Sequence, residues 1–385
     1  MIGHSVFARP RRSHGLFVAL LLAATSVGCD GSTNSATNKT GASPAITKPT
    51  TVPTGFRGIV VRANEATAEA VNNWKNSNWN AIVLEINDES DAQTVEAAKQ
   101  ISAAGLAVEY FFEVGRAPQL ADEHPEWMAS LQGHDEWRRL HPDFPKLTKQ
   151  QVAKTYPWVP VCYEESFAAQ LERTKKLIGR LPAPQRVWLH DLQGAPSACG
   201  CGHPLCRWTG DYGSIHTAKP LGDSSAADFI SALQEAFPSM EFVPIWATEC
   251  EEADEHEACG GVGCFNGICW KAWTRQLVPI SARCPTLGVS CFYKAHERDL
   301  SRYGETAAWI GFALDSFSSV PKKKGTEPVP SERLVAVIQG WGVSATEIAA
   351  QETVASKSAA RGVLLVTTPV EQSWQPRVYD LDEKK

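Results

Sequence analysis

The sequence predicts an α/β protein built on a closed (β/α)8, or TIM-type, barrel, and three observations carry that prediction. Eight apolar, β-branched segments recur between residues 58 and 368, each but the last followed by a helix-type segment. Strands apolar on both faces belong to a parallel sheet covered by helices. Neither GxGxxG nor GxxxxGK follows the first strand. A doubly wound nucleotide-binding sheet, the rival architecture, thereby loses its main support.

The elements follow in order. GIVVRA (58–63) is the first strand and ATAEAVNNWKN its helix; NAIVLEIN (80–87) is the second, with DAQTVEAAKQISAAG behind it. The Asp and the terminal Gly of that segment are helix start and stop signals. LAVEYFFEV (106–114) is the third strand, followed by a long segment with HPEW and several prolines, then the helix SFAAQLERTKKLIGRL. RVWLHDL (186–192), EFVPIWATE (241–249), LGVSCFY (287–293), RLVAVIQGW (333–341) and RGVLLVTT (361–368) complete the eight. Long Cys-rich loops follow strands four and five.

Ahead of the barrel stand two segments of other kinds. Residues 1–29 carry Arg9, Arg11 and Arg12, then LFVALLLAATSVG and Cys29. The apolar run is too short to span a bilayer and fits a secretory signal. Ser26-Val27-Gly28-Cys29 resembles a bacterial lipobox, although Ser26 stands where that motif usually has Leu. The resemblance implies lipidation of Cys29 and an exported protein of the cell envelope, attached to the membrane through the lipid alone. Residues 30–55 are rich in Ser, Thr, Asn and Pro and short of large apolar side chains, as a flexible tether is. Residues 56–385 then form the barrel domain.

Charge excludes one class of partner. The chain has 37 basic and 43 acidic residues, a net of −6; the first 29 carry three arginines and no acid, so the remainder stands at −9. An acidic chain without a basic run gives no footing for nucleic acid.

Catalytic residues of such barrels lie at the C-terminal ends of the strands. Asn87, Glu113, Asp191, Glu249, Tyr293, Lys294, Gln339, Trp341, Thr367 and Thr368 fall there, with Glu85 and Glu109 further back. Asp191 and Glu249 end neighbouring strands, which run about 5 Å apart. Such a pair of carboxyl groups is what glycoside hydrolysis needs, one to protonate the leaving oxygen and one to attack or activate water. Asp191 is read as nucleophile or base and Glu249 as general acid. His190, one residue before Asp191, is expected on the opposite face, as a packed histidine or one that supports the site through another residue. Aromatic rings stack on sugar faces, so Trp208, Trp246, Trp341 and Trp374, with Trp158 beside them, are candidate saccharide contacts together with Tyr293, Lys294 and Gln339. Any one Trp taken alone is more often a core residue.

Several motifs resemble bacterial glycoside-hydrolase-like barrels: HPEW after strand three, WVPVCYEE (158–165) leading into a helix, and Asp191 followed by the cluster Cys199, Cys201, Cys206. Related β-galactosidase-type barrels hold zinc in comparable cysteine clusters, and an Asp on strand four with a Glu on strand five resembles the α-amylase-like arrangement. The resemblance implies a saccharide substrate. Two departures stand against it. Amylase-like enzymes keep an Asp on strand seven, where this chain has Gln339. The clan with glutamates on strands four and seven, to which the β-galactosidase type belongs, is excluded by Asp191 and Gln339.

Ten cysteines follow Cys29. Cys199, Cys201 and Cys206 lie after strand four, and Cys250, Cys259, Cys264 and Cys269 after strand five. Disulfides pinning the two loops are the first expectation for an exported chain. A structural zinc is the alternative, with His203 or a cysteine of the second loop as fourth ligand. The hydrolase reading requires no cofactor. Two other readings stay open: a non-catalytic barrel that binds a saccharide or a protein partner, favoured by Gln339, and a metal-dependent hydrolase built on the acidic loop at 251–257.

Overall fold

The computed structural model describes residues 51–90, 92–124, 127, 151–154, 157, 159–192, 221–247, 270–292, 307–323, 325–368 and 377–380. The strands are β1 (Phe56–Val61), β2 (Ala81–Ile86), β3 (Ala107–Glu113), β4 (Gln151–Lys154), β5 (Arg186–His190), β6 (Glu241–Ala247), β7 (Leu287–Cys291), β8 (Leu334–Gln339), β9 (Gly362–Val366) and β10 (Arg377–Asp380). The helices are α1 (Ala68–Asn76), α2 (Ala92–Ala103), α3 (Pro118–Glu123), α4 (Glu164–Gly179), α5 (Ser225–Ala236), α6 (Trp270–Arg283), α7 (Ala308–Lys323) and α8 (Ala345–Lys357). None of the described helices is long and apolar enough to cross a membrane.

Eight strands close in the order β1-β2-β3-β5-β6-β7-β8-β9, and every neighbouring pair is parallel, β9 with β1 included. The (β/α)8 barrel expected from the sequence is the fold. Closure has a steric requirement at Gly362, which pairs with Phe56 across the seam; a Cβ there would stand 2.2 Å from the Phe56 carbonyl oxygen. The helices begin on side-chain caps where the sequence supplies them. The Thr67 hydroxyl accepts from Ala70 N at the start of α1, and Ser344 and Glu347 form a reciprocal capping box on α8.

The sequence reading did not foresee β4 and β10. They pair antiparallel in a separate two-stranded sheet, Gln151 opposite Asp380 and Lys154 opposite Arg377. Each is four residues long, and no turn motif links segments so far apart in the chain.

Alternation along the strands sorts the apolar side chains into two layers. Outward residues such as Ile82, Leu84, Tyr110, Phe112, Leu189 and Val289 pack against the helices. Inward residues, among them Phe56, Val60, Val83, Phe111, Trp188, Val243, Val337 and Leu364, fill the barrel. The free thiols Cys284 and Cys291 belong to the outer layer, and burial pushes the Cys284 thiol up to about 12 and that of Cys291 up as well. Cys162 is buried as well, 2 % exposed.

Below the apolar interior, at the N-terminal ends of the strands, the inward row turns ionic. Arg186 on β5 bridges Glu109 on β3 and Glu241 on β6, the latter at 2.6 Å, while Trp188 Nε1 donates to the second Glu109 oxygen at 2.7 Å. The side chains of Arg186, Glu109 and Glu241 are 3, 0 and 5 % exposed, so the three charges are almost fully desolvated. Burial drives both carboxyl pKa values up, and Arg186 opposes it. The chain ahead of β1 closes this floor. Val52 is fully buried, Arg186 Nη2 donates to the Thr51 carbonyl at 3.2 Å, and Arg361 Nη1 donates to the Val52 carbonyl at 2.5 Å.

Removing one member of a buried ion cluster strands the others, whereas removing all the charge together is far milder. Arg186→Met should therefore cost about 3–5 kcal/mol in urea unfolding. Combining it with Glu109→Gln and Glu241→Gln should recover a large part of that loss. A single exchange within 1 kcal/mol of the parent would show that the bridge holds little.

Candidate active site at the barrel mouth

At the opposite end the same inward rows turn polar again. On β2 the residue after Val83 in the row is Glu85, on β3 the one after Phe111 is Glu113, and on β5 the one after Trp188 is His190. Val83, Phe111 and Trp188 all belong to the barrel interior, so the next residue in each row opens on the mouth. Arg62 follows β1, Arg116 follows β3 and Asp191 follows β5, and these complete a charged cluster.

Glu113 and His190 are register partners on adjacent strands, and His190 Nδ1 lies 3.1 Å from Glu113 Oε1. The imidazole stacks on Phe111 at 5.6 Å and meets the Phe292 ring edge-on at 5.9 Å. Phe292 in turn packs against Trp341 at 4.8 Å. The second Glu113 oxygen is buried with no hydrogen-bond partner among the described residues. Arg62 Nε approaches Glu85 Oε2 at 3.6 Å.

The electrostatics follow from this crowding. Burial raises the Asp191 pKa to about 6; the charges of His190 and Arg116 lower it, and that of Glu113 raises it. Burial by itself would depress the His190 pKa, but the Glu113 hydrogen bond and the charges of Glu113 and Asp191 outweigh it, and the result is raised. Glu85 is raised chiefly by burial, opposed by Arg62 and helped by Glu113. A carboxyl group near 6 is poised to carry a proton at neutral pH.

Asp191 has φ 57°, the left-handed region that L-residues with a Cβ visit at a cost. The chain leaves the strand at this residue, so strand alternation no longer governs it. That corrects the placement of His190. It is the inward residue, held by Glu113 in the mouth, and its partner is a carboxylate rather than an apolar shell.

The remaining candidates separate. Trp246 is fully buried in the outer layer, because β6 turns Val243 and Ile245 inward and Trp246 toward the helices. Gln339 is 2 % exposed; its amide donates to the Trp341 carbonyl at 3.0 Å, and its backbone is bracketed by the Gln351 side chain at 3.1 and 2.8 Å. Trp341 is half-buried and packs on the barrel interior. Glu249, Trp158, Trp208, Tyr293, Lys294, Trp374, Cys29 and the loop cysteines Cys199, Cys201, Cys206, Cys250, Cys259, Cys264 and Cys269 lie outside the described residues, and so does the separation between Asp191 and Glu249. Among the described residues no group of three or more His, Cys, Asp or Glu side chains is arranged to hold a metal ion. Glu85, Glu113, His190, Arg62 and Arg116 are mouth residues; the sequence reading had listed Glu85 and Glu113 without a role, turned His190 away from the mouth and passed over both arginines. Counting inward parity from the strand centres would have found the first three.

No family model matches the sequence, and no curated protein sequence does. Solved structures resemble the chain at low identity. An L-ribulose 3-epimerase aligns at 11% identity with TM-score 0.41, covering 81% of this chain and 80% of its own. A β-galactosidase from the psychrophilic Marinomonas ef1 aligns at 11% with TM-score 0.44, covering 80% and 53%. An α-L-fucosidase isoenzyme from Paenibacillus thiaminolyticus aligns at 10% with TM-score 0.45, covering 81% and 46%. This chain thus spans about half the length of the galactosidase and fucosidase chains it matches. The neighbours include glycosidases and a sugar epimerase, but the barrel rests on the chain's own strand order, and the site on its own residues.

The backbone at Asp191 can be tested without any substrate. Replacement by Gly and by Ala removes the same carboxyl group, but only Gly is at ease at positive φ. Asp191→Gly should be more stable than Asp191→Ala by about 1 kcal/mol in chemical unfolding. Equal stability would mean that the left-handed turn is not maintained.

Proposed function

We propose that this protein hydrolyses glycosidic bonds at the mouth of its barrel, with Asp191 as the proton-carrying group. The observation that carries the reading is a carboxyl group at the C-terminal end of a barrel strand, raised by burial to about 6 among Glu85, Glu113, His190, Arg62 and Arg116. Protonated Asp191 gives its proton to the glycosidic oxygen as the C–O bond breaks and the electron pair stays on that oxygen. The second carboxylate, which attacks the sugar or activates water, is assigned to Glu249, two residues beyond the end of β6 in the chain. This reverses the roles read from the sequence, since a group near 6 suits the acid better than the nucleophile. A carboxyl separation of about 5–5.5 Å would mean retention and about 6.5–9.5 Å inversion.

The saccharide would be met by Trp341 from the described residues, with Trp208, Trp374, Tyr293 and Lys294 assigned alongside it. The loop cysteines are assigned to disulfides or a structural zinc that stiffens the mouth, and the chemistry asks for no cofactor. The lipobox-like sequence at Cys29 and the Ser/Thr-rich segment after it support a barrel held at the cell envelope by lipid. One observation favours a second reading, a barrel that binds a saccharide without cleaving it: Gln339 stands on the strand where amylase-like enzymes keep an Asp, and its amide is tied back to the Trp341 carbonyl.

A panel of nitrophenyl glycosides assayed from pH 4 to 8 tests the proposal. The acid form of Asp191 is needed, so the rate should fall as pH rises through about 6. Asp191→Asn should lower kcat by about 10²- to 10⁴-fold while leaving sugar binding intact. No cleavage of any glycoside with binding retained selects the non-catalytic barrel. An unchanged kcat in the variant removes Asp191 from the mechanism.

The folded-state pKa of Asp191 lies above its ordinary 3.8. Its carboxyl therefore favours the folded state most below pH 3.8, and this contribution is lost as pH rises toward 6. Unfolding curves of Asp191→Asn should lack that part of the pH dependence. A variant whose stability tracks the parent across this range would show that the raised value is absent.

A further inference from the structure

The mouth cluster has a charge balance that the hydrolytic reading leaves unused. Glu85, Glu113 and Asp191 contribute three carboxyl groups, and Arg62 and Arg116 two guanidinium groups. With Asp191 protonated and His190 neutral, the five charged or chargeable groups and the imidazole sum to zero. They also sum to zero with Asp191 ionised and His190 protonated. One proton therefore satisfies the cluster, and two neighbouring residues can hold it.

We infer that Glu113 and His190 are a positioning pair for Asp191: the Glu113 carboxylate holds the imidazole by Nδ1 in the barrel mouth, and the imidazole so held takes up a proton when Asp191 gives its own away. The geometry fixes the roles. An ionised carboxylate only accepts hydrogen bonds, so Nδ1 of His190 donates to Glu113 Oε1 across 3.1 Å, and Nε2 is the nitrogen that titrates. Rotation of the ring is limited by Phe111 on one face and by Phe292 at 5.9 Å. The His190 side chain is 18 % exposed, enough for exchange with water, while Glu113 is only 12 % exposed.

The charged groups around the imidazole are Glu113 on β3 and Asp191 beside it on the chain; Arg116 acts on Asp191 and on Glu85, and Arg62 is paired with Glu85. When Asp191 donates its proton to a leaving oxygen, the cluster is left one charge negative. Uptake of a proton from water at His190 Nε2 restores the balance and leaves hydroxide in solvent. In the return step the proton lost by the attacking water restores Asp191, and His190 gives its own proton back to the hydroxide in solvent. Neither Glu113 nor His190 needs to touch the substrate.

The activity arm of the test rests on the hydrolytic reading; the spectroscopic arm does not. His190 is followed by NMR of its Cε1–H resonance, assigned by its absence in His190→Gln, and Asp191 by its carboxyl carbon. In the parent protein His190 should titrate above about 6.5, the unperturbed histidine value. In Glu113→Gln it should fall by a pH unit or more, and Glu113→Asp should recover part of that shift. In His190→Gln the cation that favours ionised Asp191 is gone, so the Asp191 titration should move up, and with it the pH at which hydrolysis declines. An unmoved His190 titration in Glu113→Gln, or an Asp191 titration that stays or moves down in His190→Gln, overturns the inference. If Glu113→Gln does not fold, His190→Gln alone decides through Asp191. If both titrations move as expected and no glycoside is cleaved, the pair stands and the hydrolytic reading falls.

Discussion

The structure depends on one constraint, the alternation of side chains along strands that close into a ring. Each strand has a single inward row, and that row must serve the floor, the interior and the mouth in turn. On β3 it runs Ala107, Glu109, Phe111, Glu113, and on β5 Arg186, Trp188, His190. The register that sets Glu113 beside His190 also sets Phe111 beside Trp188. A slip of one residue would carry every one of these side chains to the helix face. The ionic floor, the apolar middle and the polar mouth are thus a single specification written along two strands.

The two polar ends differ in what surrounds them. Arg186, Glu109 and Glu241 are shut away from water and bonded to one another, to Trp188 and to the Thr51 carbonyl. One Glu241 oxygen is buried with no hydrogen-bond partner among the described residues, but the Arg186 guanidinium lies against both carboxylates, and the cluster reads as the lock of the barrel. The mouth is looser. His190 is partly exposed, one Glu113 oxygen has no partner among the described residues, and Asp191 sits in a left-handed turn. A left-handed backbone position beside crowded carboxyl groups is a feature that functional sites carry.

Much of the fold was legible because its signal is repetitive. Eight apolar runs, each long enough for one pass through a barrel, were visible without knowledge of any contact. The β4–β10 pair was not, since QVAK and RVYD show no pattern that binds them across the intervening chain. The mouth was half legible. Asp191 stood out as a carboxylate at a strand end, and Glu113 was visible beside it. The error at His190 arose from counting alternation backward from Asp191, a residue already outside the strand by virtue of its positive φ. Counted forward from Trp188, His190 faces inward. Trp246 failed by the same arithmetic, since Val243 and Ile245 had claimed the inner face of β6.

The ring of side chains across the middle of the barrel has a consequence for the shape of any ligand. Phe56 and Trp188 pack at 5.3 Å, and Phe111, Val83 and Val337 fill the same layer, so the barrel is plugged between its two ends. A long polymer cannot be threaded through it. It would have to lie across the rim or present an end.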